Sequence, residues 1–323
     1  MNHYRRKDPG IFILLIILLM TGPGTELYSQ QLPSYPVSLR IYDSFVLNPA
    51  IAGSKDFFNL DMSVGKSANI NSQFIAGSSR IMRRNAEYPS TPALTDFTDF
   101  GAGGYVFREK YGLFNNSGFA GTVSYHKKLS DDALSFISAG ISGKLIHTSY
   151  AGNTDAGIPS GKRTYADLDI GLYYYGPSFY AGMSVINVFS NTLNSDTAIY
   201  NAAGLSRHLN AIAGYKFVIS RELNIVAEPA ILLSENYSLS GNIKDMAGPM
   251  LRLYAGMFCA GAYFPGFDKA SVFFRFKYPK FNIGAYLELP GNTPLYKSPI
   301  LAEITLGINL SAIKFGAGGY NHW

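Results

Sequence analysis

From about residue 57 to residue 310 the sequence alternates apolar and polar residues with a period of two, in segments of roughly eight to eleven residues parted by Gly, Asn, Asp, Ser and Pro. Alternation of this kind commits a chain to strands that are apolar on one face, and that face must be taken out of water. The segment Leu301–Leu310 is the clearest: Ile304, Leu306, Ile308 and Leu310 fall on one parity, and Glu303, Thr305, Gly307 and Asn309 on the other. Within 134–145, Ile137, Ala139, Ile141 and Leu145 oppose Ser138, Gly140, Ser142 and Lys144. Within 165–175, Leu168, Ile170, Leu172 and Tyr174 oppose Asp167, Asp169 and Gly171. Within 208–218, Leu209, Ala211, Ala213, Tyr215 and Phe217 oppose His208, Asn210, Gly214 and Lys216. About fourteen strands are expected, at 57–66, 72–82, 100–108, 117–127, 134–147, 166–175, 178–187, 208–218, 223–233, 237–244, 255–264, 270–278, 280–288 and 301–310. The alternation is thinnest at 72–82 and 237–244. No segment holds a helical period, so the class is all-β.

The N-terminus bears on what the apolar face meets. Arg5, Arg6 and Lys7 precede an unbroken apolar run over 11–20, which breakers at Thr21, Gly22, Pro23 and Gly24 end. A basic stretch, a short apolar stretch and a small residue at the cut make a secretory signal peptide over 1–29, with cleavage expected after Ser29. The alternative, a membrane anchor, needs about 20 apolar residues, and the run is too short for that. An exported chain without a helical span is either a soluble extracellular protein or a closed barrel, because an open sheet leaves backbone groups unpaired in lipid. Only 15% of residues are charged and 14% are aromatic, a balance that excludes disorder. The formal charge of +5 is mild and partly carried by the leader, so no nucleic-acid partner is expected. The single cysteine, Cys259, excludes an internal disulfide and reads as a small packed hydrophobe.

Two architectures would produce the same alternation: an outer-membrane barrel, or two secreted β-sandwiches side by side. Repeated strands of roughly ten residues in an even number favour the barrel. Aromatics near strand ends (Tyr105, Phe107, Tyr125, Tyr173, Tyr174, Tyr175, Phe179, Tyr180, Tyr278 and Phe281) read as interfacial girdles. The 33 glycines suit a tilted, strongly bent sheet. Gly176-Pro177 and Pro279-Lys280 read as short periplasmic turns, whereas 83–99, 151–164 and 187–207 read as long extracellular or protein-covered loops. The expected organisation is therefore a signal peptide at 1–29, an N-terminal lead and turn at 30–56, a transmembrane antiparallel β-barrel of about fourteen strands at 57–310, and a tail at 311–323.

The lead ends in Leu47-Asn48-Pro49-Ala50-Ile51-Ala52-Gly53. Proline fixes its own φ and biases Asn48 to extended geometry, and Gly53 can close the turn at positive φ. A signal peptide, a lead containing Gln and Pro, and this motif running into the first strand resemble the PorP/SprF family. Similar, too, are 169–175 followed by 179–187, then 207–215, and 281–286, so the resemblance spans nearly the whole mature chain. It rests on Leu47, Asn48, Pro49, Ala50 and Gly53 above all. The long segment 83–99 and the tail, which ends in Trp323, depart from the family pattern. The resemblance implies an outer-membrane protein of type IX secretion and gliding motility in Bacteroidetes-type bacteria. Its implied partners are outer-membrane lipid and either a secreted surface protein or periplasmic secretion components.

Signatures of catalysis are missing: there is no phosphate loop, no His-Glu-x-x-His, no cysteine pair and no Gly-x-Ser-x-Gly elbow. No catalytic, cofactor or metal residue is assigned, and the calcium reading of Glu87, Asp96 and Asp99 lacks the loop that binding requires. His126 shares a parity with Thr122 and Ser124 and reads as a lumen-facing residue. Further candidate lumen-facing polar residues are Asp167, Asp169, Lys216, Glu228, Arg275 and Glu303. The expected function is a non-enzymatic barrel that docks partners. The alternative is a porin or channel for small or hydrophobic solutes.

Overall fold

The computed structural model describes residues 37–42, 44–55, 58–67, 70–82, 97–130, 134–151, 160–189, 191–195, 207–236, 246–265, 269–278, 280–289 and 300–310. The expected leader, the expected strand at 237–244, the tail 311–323, and Glu87 and Asp96 lie outside them.

A short helix α1 (Val37–Tyr42) and two 3-10 turns (Ser44–Val46 and Pro49–Ile51) precede sixteen strand segments. These are β1 (Phe58–Lys66), β2 (Ile70–Met82), β3 (Phe97–Tyr111), β4 (Phe114–Ser130), β5 (Ser135–Tyr150), β6 (Gly161–Tyr175), β7 (Phe179–Ile186) and β8 (Asn191–Ser195), followed by β9 (His208–Tyr215), β10 (Phe217–Ser220), β11 (Ile225–Asn236), β12 (Ala247–Ala255), β13 (Phe258–Tyr263), β14 (Ala270–Lys277), β15 (Phe281–Leu289) and β16 (Leu301–Leu310). β1 to β7 pair in sequence order, β7 pairs with β9, β9 with β11, β11 to β16 again in order, and β16 returns to β1. β10 carries on from β9 along the same neighbour, and β8 is a short appendage on β6. The result is a closed antiparallel barrel of fourteen staves. One continuous ring of pairing overturns the two-sandwich alternative.

Closure is what a membrane demands. Every one of the fourteen staves finds two neighbours, so the ring of pairing has no free edge to open onto hydrocarbon. The side chains sort as their parity requires. In β16, Ile304 is 66% exposed, while the flanking Glu303 and Thr305 are each only 2% exposed. Ile137, Ile141, Val123, Phe119, Leu251, Leu253 and Ile283 likewise stand on the outer surface. The packed core is the lumen: Ile41, Phe45, Val46 and Leu47 of the N-terminal segment lie among inward Phe74, Tyr105, Ile146, Tyr165, Tyr180 and Tyr286.

Three sequence readings need correction. First, fourteen staves form, and β13 matches the strand expected at 255–264, but β12 lies in the gap left between the strands expected at 237–244 and 255–264. Gly248 and Pro249 look like breakers, yet Pro249 sits near the end of its ladder, opposite Ile231, where a missing N–H costs little. Second, the girdle assignment holds for Tyr125, Phe179, Tyr278 and Phe281, which are outward and exposed. Tyr105, Phe107 and Tyr180 are buried inside the lumen. Third, the connections sort by barrel end. Connections 131–134, 176–178, 221–224, 256–257 and 278–280 fall at one end, together with the start of β1 and the end of β16. Connections 151–160, 187–207, 237–246 and 290–300 fall at the other. The segment 83–96 joins β2 to β3 at the short-turn end, not among the long loops. The two-residue hairpins at 112–113 and 256–257 each place glycine first, at φ 56° and 57°, where a type II′ turn needs positive φ.

Replacing Leu306 by Arg puts a charge on the lipid face midway along β16. Folding into lipid vesicles is expected to weaken by about 2–4 kcal/mol. Titration of the heat-modifiable folded band against denaturant checks this, and an unchanged midpoint would contradict an outward Leu306.

Candidate functional site: a lumen filled by the N-terminal segment

A fourteen-stave barrel is wider than an eight-stranded one, whose lumen its own side chains just fill. Here residues 37–42 and 44–53 occupy the space. Asn48 is the pivot. Its backbone is extended at φ −138°, as the following Pro49 requires, and Pro49 opens the 3-10 turn at a position that needs no N–H donor. Its side chain makes three hydrogen bonds. The Oδ1 accepts from Ala50 N–H at 3.0 Å, and Nδ2 donates to Leu172 O at 2.9 Å and Met183 O at 3.3 Å. One amide thereby caps its own turn and ties it to two adjacent staves, β6 and β7.

The turn that follows is met by wall hydroxyls. Ser184 donates to Leu47 O, Ser138 to Ala50 O at 2.7 Å, and Ser124 to Ala52 O. His126 Nε2 lies 2.8 Å from the same Ala52 carbonyl, which fixes the proton on Nε2. Its Nδ1 then accepts from the Tyr175 hydroxyl at 2.9 Å, and that oxygen accepts from Arg80 Nη2 at 2.6 Å. The turn's own N–H groups serve the carbonyls of Asn48, Pro49 and Ile51, and the wall serves those of Leu47, Ala50 and Ala52, which need partners inside a barrel.

Close approach requires glycines in the wall. A Cβ on Gly140 would strike Pro49 and Ala50, and one on Gly171 would strike the Asn48 amide. Gly53, at φ 72°, turns the chain toward β1, and a Cβ there would come 2.6 Å from Gly101 Cα. The fit leaves a cavity of only about 10 Å³ between the segment and Gly182, Ser184, Asn210 and Ile212, room for about one water.

Farther along the segment, charged wall residues take over. The Arg252 guanidinium donates to Ile41 O at 3.0 Å and pairs with Glu228 at 2.9 Å. The Glu228 carboxylate also accepts from Tyr180 at 2.6 Å and Tyr254 at 3.0 Å. Arg275 lies over the Tyr42 ring, 4.6 Å from its centre, and pairs with Asp61 at 3.0 Å. Glu303 accepts from Ser38 N–H at 2.9 Å, and the hydroxyls of Ser38 and Ser63 meet at 3.0 Å.

Leu47, Asn48, Pro49, Ala50 and Gly53, expected only to open and close a turn before the first strand, thus form the floor of the plug. Of the polar candidates, Glu303, Arg275 and Glu228 surround the plug. Asp169 is held by Lys144 at 2.6 Å and Asn187 N–H at 2.9 Å, and Asp167 accepts from Phe189 N–H at 3.0 Å. Those two carboxylates fasten the wall after β7 rather than the segment. Lys216 sits half-buried at the break between β9 and β10. Sequence reasoning missed Ser124, Ser138, Ser184 and Arg252 as plug contacts. Their inward parity was the only signal available, and parity does not say what stands in the lumen. Among the described residues no group of three or more His, Cys, Asp or Glu side chains could hold a metal.

The sequence profile of the type IX secretion system membrane protein PorP/SprF matches residues 30–308. The chain belongs to the PorP/SprF family. That stretch includes the plug of this PorP/SprF protein as well as its barrel. Among curated proteins none matches the sequence. Among solved structures, the chain is similar to the KdgM porin at 8% identity and a TM-score of 0.37, over 78% of this chain and 99% of that one. It is also similar to BamA from Haemophilus ducreyi lacking POTRA domains 1-3, at 9% and 0.37, over 79% and 71%. The translocator domain of the autotransporter NalP from Neisseria meningitidis gives 10% and 0.33, over 78% and 85%. At such scores the architecture rests on the strand order itself. The PorP/SprF protein is an outer-membrane β-barrel of the type IX secretion system.

Replacing Asn48 by Ala strands two wall carbonyls and uncaps the turn, and is expected to cost about 1–3 kcal/mol. Gly140→Val removes the space that Pro49 and Ala50 occupy. In both variants hydrogen exchange over 44–53 should speed up while the β-signal of the barrel persists. Unchanged protection in Gly140→Val would contradict the plug.

Proposed function

We propose that this barrel is a non-enzymatic platform of type IX secretion, which docks a secreted cell-surface protein such as a gliding adhesin, or periplasmic secretion components, on its loops and turns. The filled lumen carries this reading. Wall hydroxyls and charges that would line a solute path instead hold the chain's own carbonyls: even the Ser124 hydroxyl, 3.0 Å from His126 Nε2, is committed with that ring to Ala52 O. The porin alternative would need the segment 37–53 to leave.

The asymmetry of the two ends supplies two different surfaces. Outer-membrane barrels keep short turns in the periplasm and long loops outside. The end bearing 131–134, 176–178, 221–224, 256–257 and 278–280 is accordingly the periplasmic one. Both ends of the barrel strand order and the segment 83–96 lie there, within reach of periplasmic components. The long connections 187–207, 237–246 and 290–300 face outward, where a secreted surface protein would be held. The apolar stripe of every strand fixes the platform in the bilayer.

Affinity capture of the mature protein from detergent-solubilised outer membranes tests the proposal. Co-purification with a secreted surface protein or with periplasmic secretion components is expected, lost when 187–207 is shortened for the former or 83–96 for the latter. Recovery of the barrel with neither class of partner would contradict it.

A further inference from the structure

The outer face of the barrel changes character along strands β2 to β5, and the register sets the change out in rows. Ile75, Val106, Phe119 and Leu145 stand side by side on four successive strands. One step toward the long-loop end the row reads Gln73, Arg108, Ser117 and His147, and one step further Asn71, Lys110, Asn115 and Ser149. The apolar surface therefore stops abruptly and gives way to donors and cations, still on the outward parity. There the surface holds a cleft of about 550 Å³, lined by Asn71, Gln73, Arg108, Lys110, Asn115 and Ser149.

Arg108 and Lys110 are exposed, whereas Glu109 between them turns inward and is buried. Among the described residues no carboxylate pairs with either cation. Two unneutralised cations flanked by amide and hydroxyl donors make an anion site. Guanidinium offers a planar fork to phosphate oxygens, and ammonium adds a point charge.

The position says which anion. The cleft opens onto the lipid-facing row of Ile75, Val106 and Phe119. On the far side of that row, the next one along the strands is glycine throughout: Gly77, Gly104, Gly121 and Gly143. A Cβ on Gly121 would have nothing within 4 Å and one on Gly143 only Leu168 Cδ2 at 3.9 Å, so the row is a shallow depression open to the bilayer on β4 and β5, bordered at its β2 end by Leu60 and Phe58 beside Gly77. A free anion would use the cleft alone, whereas a lipid uses the cleft and the apolar face together. We propose that the cleft binds the phosphate of a phosphorylated lipid headgroup in the leaflet at the long-loop end, with an acyl chain of that lipid lying along the apolar and glycine rows.

Native mass spectrometry of the mature protein in a neutral detergent, titrated with monophosphorylated lipid A, tests this. The double variant Arg108→Gln/Lys110→Gln is expected to bind about tenfold more weakly. The charge-keeping Lys110→Arg and the distant Lys280→Gln should both bind as the parent does. Both cations are exposed, so the heat-modifiable folded band confirms that the variants are intact. The dephosphorylated lipid should bind poorly, and millimolar inorganic phosphate should not displace the phosphorylated one. Equal binding by the double variant, or equal binding of the dephosphorylated lipid, would overturn the site. Complete displacement by inorganic phosphate would overturn the lipid assignment in favour of a free-anion site.

Discussion

A barrel that closes to satisfy its backbone in lipid creates a second problem inside, because its inner wall is polar and its bore is wide. Fourteen staves leave more room than inward side chains can fill, and unfilled polar groups would need water or partners. Residues 37–42 and 44–53 resolve this. They bring backbone carbonyls to Ser124, His126, Ser138, Ser184 and Arg252, and apolar side chains to Phe74, Tyr105 and Tyr286. The mutual dependence is close: the wall has glycines where the plug comes nearest, and the plug has an Asn-Pro turn where the wall offers two carbonyls.

The buried ion pairs belong to the same arrangement. Arg252–Glu228, Arg275–Asp61 and Lys144–Asp169 are shielded from solvent, and breaking one partner of such a pair costs about 3–5 kcal/mol because the other charge is left uncompensated. Two of the three touch the plug directly. Arg252 donates to Ile41 O, and Arg275 covers the Tyr42 ring. The charges thus do more than neutralise one another: they fix where the segment lies in the bore.

Much of the barrel is legible from period-two parity, because membrane and lumen impose opposite demands on alternate residues. Ile304 and Glu303 can be placed by parity alone. Parity fails where a breaker is tolerated, as at Pro249 in β12, and it is silent about aromatics, since Tyr105 and Tyr180 suit a lumen core as well as a girdle. The plug is the least legible part. Leu47 to Gly53 carry turn chemistry that is correct in detail, since Pro49 opens the turn and Gly53 closes it at positive φ. What that turn packs against is set by residues such as Gly171 and Ser184, more than a hundred positions away, and no local pattern announces the pairing. The basic cleft escaped for a related reason. Arg108 and Lys110 are unremarkable in sequence and gain meaning only when the register sets them beside Asn71 and Asn115.

A plugged barrel in a secretion family points to surfaces rather than a pore, and the state of the lumen decides between the two. Electrical recording of the purified mature protein in a planar bilayer measures that state. Without removal of residues 37–53 the barrel should be electrically silent, and steady conductance steps should emerge only in a variant that lacks them. Stable open-channel currents from the intact chain would contradict a lumen sealed by its own N-terminal segment.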